Sequence, residues 1–215
     1  MLKIEFSCFY NLYLHNGQKC PLNIRIKFNA ISPMRIRQKQ AAQNREDLLN
    51  AALKIFRKQG IRAPLQLVID EAGVGRATFY RNFQDRRELV IALMEQALTR
   101  LDERAKSFSE YPDGLIRLIR NHVENLPYLT ALMEYWRVID RNDPSMVDIY
   151  QRRDAILQPL IDQAITHHIC RPDLTPKDYA LITGILRASF QGLTDEEQVQ
   201  LATRAVDLLI DGIKA

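Results

Sequence analysis

Arg76, Thr78, Tyr80, Arg81 and Asn82 stand within seven consecutive residues, and their side chains are of the kinds that grip a nucleic acid. Guanidinium groups pair with phosphate oxygens, hydroxyls reach a phosphate or a base, and an amide matches a base edge in the major groove. Phe79 and Phe83, spaced i, i+4, would bury one face of a short helix and leave that polar set on the opposite or flanking side. Nothing comparable points to catalysis. The chain holds no Gly-x-Ser-x-Gly, no His-Glu-x-x-His and no Gly-rich phosphate loop. His167, His168 and Cys170 form its one His/Cys cluster. Adjacent histidines on a helix point about 100° apart, so a helix-end cap fits them better than a metal. No catalytic residue, no metal ligand and no cofactor is expected, and the chain does not read as an enzyme.

The elements that must hold this short helix are legible around it. Leu48, Leu49, Ala52, Ile55 and Phe56 make one apolar helical stripe, with Arg45, Lys54, Arg57 and Lys58 off it and Gly60 as its C-cap. A short helix is predicted from Pro64 to Ala72, broken at Gly73. Ala72-Gly73-Val74 then supplies the tight turn of a helix-turn-helix, with a glycine free to take positive φ. The candidate recognition helix runs from about Arg76 to Phe83. Asp85 is the expected N-cap of a long helix through Leu89, Leu93, Leu98 and Leu101. Further on, Asp143-Pro144, Thr175-Pro176 and the Thr194-Asp-Glu-Glu197 box mark helix starts. Helices are predicted at about 113–126, 127–141, 144–168, 177–191 and 195–213, the third kinked by Pro159. The expected fold is all-α, a three-helix helix-turn-helix domain followed by a helical body, with about nine helices in all.

Residues 45–89 resemble the TetR family of bacterial transcriptional regulators. The likeness is carried by Ala63-Pro-Leu, by Ala72-Gly-Val-Gly-Arg-Ala-Thr-Phe-Tyr-Arg-Asn-Phe and by Asp85-Arg-Arg-Glu-Leu89. It implies that Thr78 and Tyr80 contact phosphate or a base and that Arg76 and Asn82 reach the groove. Arg86 sits where the family usually has a phosphate-binding Lys. With Arg45, Ala77 and Arg81 these make the candidate DNA-binding set. Two positions depart from the pattern. Gly75 replaces a frequent capping Ser, and Asn82 replaces the commoner His, which alters base preference. The resemblance also implies a body of about six helices that binds a small effector and dimerises through its last two. Leu181, Gly184, Ile185 and Ala188, with Val199, Ala202, Val206 and Leu209, are the candidate dimer interface. His122, Tyr128, Met133, Tyr135, Trp136 and Arg137 are the candidate pocket residues, each also a plausible core residue.

Charge supports a division of labour. The 215 residues carry a net charge of +4, but residues 1–33 hold +3, residues 34–89 hold +6 and residues 90–215 hold −5. A basic head on an acidic body suits a chain that meets a polyanion at one end. Arg35, Arg37 and Lys39 would either follow DNA as an arm or remain a solvated tail. Three domains are therefore expected: a poorly ordered extension at 1–33, read as a leader from an upstream start rather than a short β-rich appendage; a DNA-binding domain at 34–89; and an effector-binding and dimerisation domain at 90–215. Three scattered cysteines and no apolar run long enough for a bilayer favour a cytoplasmic protein without a membrane partner. The function expected is a homodimeric, ligand-responsive repressor on a palindromic operator. The alternative is a non-DNA helical adaptor or a protein of anionic surfaces.

Overall fold

A computed structural model of the chain describes residues 33–124, 143–188 and 194–215. Among them lie eight helices: α1 Pro33–Gln59, α2 Leu65–Glu71, α3 Arg76–Asn82, α4 Arg86–Phe108, α5 Gly114–Glu124, α6 Pro144–Thr166, α7 Pro176–Ala188 and α8 Asp195–Ile213. The described residues contain no strand, only an isolated antiparallel bridge between Cys170 and Lys214. The helix expected at 127–141 and the extension up to residue 32 fall outside the described residues. By its contacts the chain divides after Gln43. Residues Pro33–Gln43 are helical, with Arg35, Arg37 and Lys39 exposed. That segment lacks an apolar stripe, and its Arg, Lys, Gln and Ala residues are good helix formers on propensity alone.

From Asn44 onward the helices enclose two apolar clusters. The first joins α1 (Leu48, Ala52, Phe56), α2 (Val68, Ile69), α3 and the first half of α4. The second joins the end of α4 to α5 (Leu115, Leu118, Ile119), α7 and α8. Two helices serve both. Along α4, Leu89, Leu93 and Leu98 face the first cluster, while Leu101 and Ala105 face the second. Along α6, Met146 and Ile149 complete the first, and Leu157, Leu160, Ile161 and Ala164 enter the second. Ile156 packs against both. Pro159 lies inside α6 without ending it.

The predicted punctuation sits where its chemistry requires. Gly60 and Gly73 take positive φ, 76° and 64°. Asp85 accepts the Glu88 amide at 2.8 Å and so caps α4, and Asp143 accepts the Ser145 amide at 3.0 Å ahead of Pro144. Pro64 is the N-cap of α2 rather than its first helical residue. α6 ends at Thr166, with His167 as C-cap and His168 in the left-handed region at φ 55°. Beyond it, Arg171 donates to the Ile213 carbonyl at 2.9 Å and Ala215 donates to Ile169 at 3.3 Å, which pins the end of α8. Cys170 is buried there, and that burial pushes its thiol pKa up.

α8 opens with a complete capping box. Thr194 Oγ1 accepts the Glu197 amide at 3.3 Å, and the Glu197 carboxylate accepts the Thr194 amide at 2.9 Å. The Thr194 amide, together with the Thr194 hydroxyl that donates to the same carboxylate at 3.1 Å, holds the Glu197 carboxyl below its ordinary pKa. Stability gained from a lowered carboxyl pKa is full above the ordinary value and is lost as pH falls through the lowered one. Thr194→Ala is expected to cost about 1 kcal/mol near neutral pH. In thermal melts the gap between wild type and variant should narrow below about pH 4.

Candidate nucleic-acid interface

The turn at residues 72–75 fixes how α3 leaves α2. The Gly73 amide donates to Asp70 at 3.1 Å and the Val74 amide to Ile69 at 3.3 Å. A Cβ on Gly73 would meet nothing within 4 Å, so the glycine is needed for its positive φ and not for space. Gly75 is the N-cap of α3, in extended conformation and with no side chain to accept a bond. Its carbonyl accepts from Thr78 at 2.9 Å and Phe79 at 3.1 Å.

Two phenylalanines set the rotation of α3. Phe79 and Phe83 are both 0% exposed, their ring centroids 5.9 Å apart. The opposite side therefore faces out. Tyr80 is 52% exposed, its ring edge-on to Phe79 at 5.2 Å, and Arg76, Ala77 and Arg81 are exposed beside it. Thr78 is half-buried. The predicted set is thus brought together on one short helix, but its members are not equally available. Asn82 Nδ2 donates to the Thr78 carbonyl at 2.8 Å. Arg81 Nε donates to the Ala77 carbonyl at 3.0 Å, and its Nη2 lies 3.5 Å from Thr78 Oγ1. Among the described residues, Arg76 and Tyr80 make no such bond to their own helix.

Arg45 and Arg86 hold the protein itself. Arg45 Nη1 donates to the Asn82 carbonyl at 3.2 Å, at the C-terminal end of α3, and its guanidinium sits 4.5 Å above the Phe83 ring. A cation there complements the helix dipole. Arg86 forks onto the loop between α1 and α2, donating to Ile61 and, at 2.6 Å, to Ala63. It also lies 5.7 Å from the Phe56 ring. Spacing along the chain gives no sign of these partners, 23 to 37 residues away. Also unseen in the sequence is an ion pair from α4 to α6. Arg87 Nε lies 3.0 Å from Asp143 Oδ2, and its Nη2 lies 2.7 and 2.5 Å from the two carboxylate oxygens.

The candidate dimer residues separate into two groups. Leu181 and Ile185 on α7 are 61% and 43% exposed, Gly184 between them is exposed, and Val199 is 50% exposed. Ala202 and Val206 are fully buried, and Leu209 is half-buried against the same core. Ala202 and Val206 therefore face the chain's own interior, and Leu209 is only partly available to an outer contact. Leu201 and Leu208, on the other side of α8, are exposed instead. The side chain of Ala188 lies outside the described residues. So does that of His122 among the candidate pocket residues, together with Tyr128, Met133, Tyr135, Trp136 and Arg137 entirely. Among the described residues no His, Cys, Asp and Glu side chains gather as a metal site, and no helix is long and apolar enough to cross a membrane.

Comparison with known proteins bears on this arrangement. Residues 48–93 match the profile of bacterial regulatory proteins of the tetR family. An uncharacterized HTH-type transcriptional regulator of Bacillus subtilis, YvdT, is 23% identical over 181 residues, which is 78% of this chain and 93% of the relative. The crystal structure of the TetR transcriptional regulator SCO0520 from Streptomyces coelicolor aligns over 79% of this chain and 98% of its own, at 26% identity and a TM-score of 0.58. The ketosteroid transcriptional regulator KstR2 of Mycobacterium tuberculosis has the same TM-score over 80% of this chain and 95% of its own, at 21% identity. The all-α fold of this chain is thus similar to the folds of these two solved structures.

Because Arg86 satisfies two loop carbonyls in a half-buried setting, Arg86→Ala should lower unfolding free energy by about 1–3 kcal/mol in urea titrations. Arg86→Lys should restore only part of it, since an ammonium cannot reproduce the planar fork.

Proposed function

We propose that this chain, whose residues 48–93 match the profile of bacterial regulatory proteins of the tetR family, is a DNA-binding transcriptional regulator working as a homodimer under control of a small effector. The observation that carries this is the two-sided character of α3. With Phe79 and the C-capping Phe83 buried, Arg76, Ala77 and Tyr80 are exposed on α3 and Thr78 is half-buried beside them. Arg76 supplies phosphate or guanine contact, and Thr78 and Tyr80 supply hydroxyls. Ala77 is small enough to let the backbone approach the groove. Arg81 and Asn82 join them once the bonds to their own helix are exchanged for DNA. Arg45 and Arg86 act indirectly, by holding the helix and its supporting loop in place. Arg35, Arg37 and Lys39 lend further positive charge.

The exposed Leu181, Gly184 and Ile185 support pairing of two copies through α7, with Val199, Leu201 and Leu208 on α8 adding apolar surface. Large side chains this exposed on one face favour a partner. A two-fold dimer would set two α3 helices in successive major grooves, roughly 34 Å apart, and so select a palindromic site. An effector held in the body, preferring a state with the heads misaligned, would lower DNA affinity by its differential affinity for the two states. Repression is the regulatory sense proposed.

Selection of genomic fragments by the full chain at about 150 mM salt tests the reading directly. Enrichment of one palindromic sequence is the expected result, lost on Tyr80→Ala. Arg76→Gln should weaken binding and flatten the log–log salt dependence by about 0.9 if its contact is a phosphate. Equal retention of all fragments would defeat the proposal and favour a helical adaptor. For the dimer, Leu181→Glu should shift the sedimenting species from two chains to one while leaving helical content unchanged.

A further inference from the structure

α6 belongs to two cores at once, and its first turns are tied to α4 by charge as well as by packing. Arg87 stands in the first turn of α4, just past α3. Its guanidinium meets both oxygens of Asp143, and Nη2 also reaches Ser145 Oγ at 3.4 Å. Asp143 is at the same time the N-cap of α6, so the carboxylate that holds Arg87 also fixes where α6 begins. Arg87 is the largest influence holding the Asp143 carboxyl below its usual range. Further along, Arg152 makes a second fork, 2.8 and 2.7 Å from the two oxygens of Glu95 on α4, and a bond to Asp148 at 3.1 Å. Between the two forks Met146 and Ile149 are buried against α4 in the first core. The other half of α6 lies in the second core with α5, α7 and α8.

This arrangement leaves α6 little freedom to slide along α4. A shift of its first turn must break the Arg87 fork, uncap the helix and unpack Met146 together. The Arg87 side chain is 49% exposed, so the pair adds little to overall stability and acts mainly by fixing direction. We propose that Arg87 and Asp143 are positioning residues which lock the start of α4, and α3 ahead of it, to the start of α6, so that a shift of α6 reaches the recognition helix through this fork. The proposal rests on the regulator reading, since it names how that same helix is governed.

Two variants isolate the fork. Asp143→Asn keeps an N-cap acceptor for Ser145 but loses the charge pair, because Asn caps about as well as Asp. Arg87→Gln removes the other half. Three readouts are needed on the full chain and on the double variant: affinity for the fragment selected by wild type, the urea unfolding midpoint, and hydrogen exchange of the α3 amides without DNA. Each single variant should bind about tenfold more weakly, the double variant no worse than either. α3 exchange should quicken while the unfolding midpoint stays nearly fixed. Unchanged affinity and exchange would overturn the proposal, as would an affinity loss that tracks a lowered midpoint. Tighter binding by Asp143→Asn with weaker binding by Arg87→Gln would also overturn it, by making Arg87 a direct phosphate contact. If wild type selects no fragment, the regulator reading fails, and the exchange measurement still decides whether the fork holds α3.

Discussion

The burial of Phe79 and Phe83 is the constraint on which the outward face depends. A helix of seven residues has no stability of its own in water. α3 holds because Phe79 within it and Phe83 at its C-cap are fully buried in the first apolar cluster. That enclosure fixes its rotation, and rotation decides which side chains reach solvent. Were the helix turned by one residue, about 100°, Tyr80 would enter the core and its hydroxyl would need a buried partner. The outward polar side chains and the stability of the head are therefore set by opposite faces of the same two turns.

Around this helix, arginine has taken structural work. Arg45 closes the end of α3, and Arg86 closes the loop after α1. Both positions are cationic and near the outward face, so a reading of charge alone assigns them to phosphate. The guanidinium fork suits either use, since it donates in a fixed plane to any paired oxygens, carbonyl or phosphate. Only the positions of the acceptors decide between them, and the acceptors here belong to the protein. Loss of DNA binding on mutating such residues would be an effect on geometry before it was an effect on contact.

What could be read in the sequence follows the range of the interaction. Caps and turns are local, so Gly60, Gly73, Asp85, Asp143 and the Thr194–Glu197 box were legible from residues within four positions of one another. The faces of α1 and α4 were legible because each carries a single apolar stripe. α8 was not, because it is apolar on two sides. Ala202 and Val206 line the core, while Leu201 and Leu208 lie opposite, and periodicity cannot say which side meets the chain's own interior. The helical stretch from Pro33 escaped notice for the converse reason: its residues form a helix by propensity, without an apolar face. Long-range pairs such as Arg86 with Ala63 leave no trace in spacing at all.

α4 and α6 each run through both apolar clusters, with Ile156 touching the two. That continuity has a bearing on folding as well as on geometry. Neither cluster can dissolve while the other keeps its full complement of side chains, because melting the far half of α6 withdraws the support that holds Met146 and Ile149 in the first. The head and body from Asn44 onward should thus unfold as one cooperative unit, with α3 free to open only by local fraying. A destabilising change deep in the body would then reduce the population of intact recognition helices without touching them.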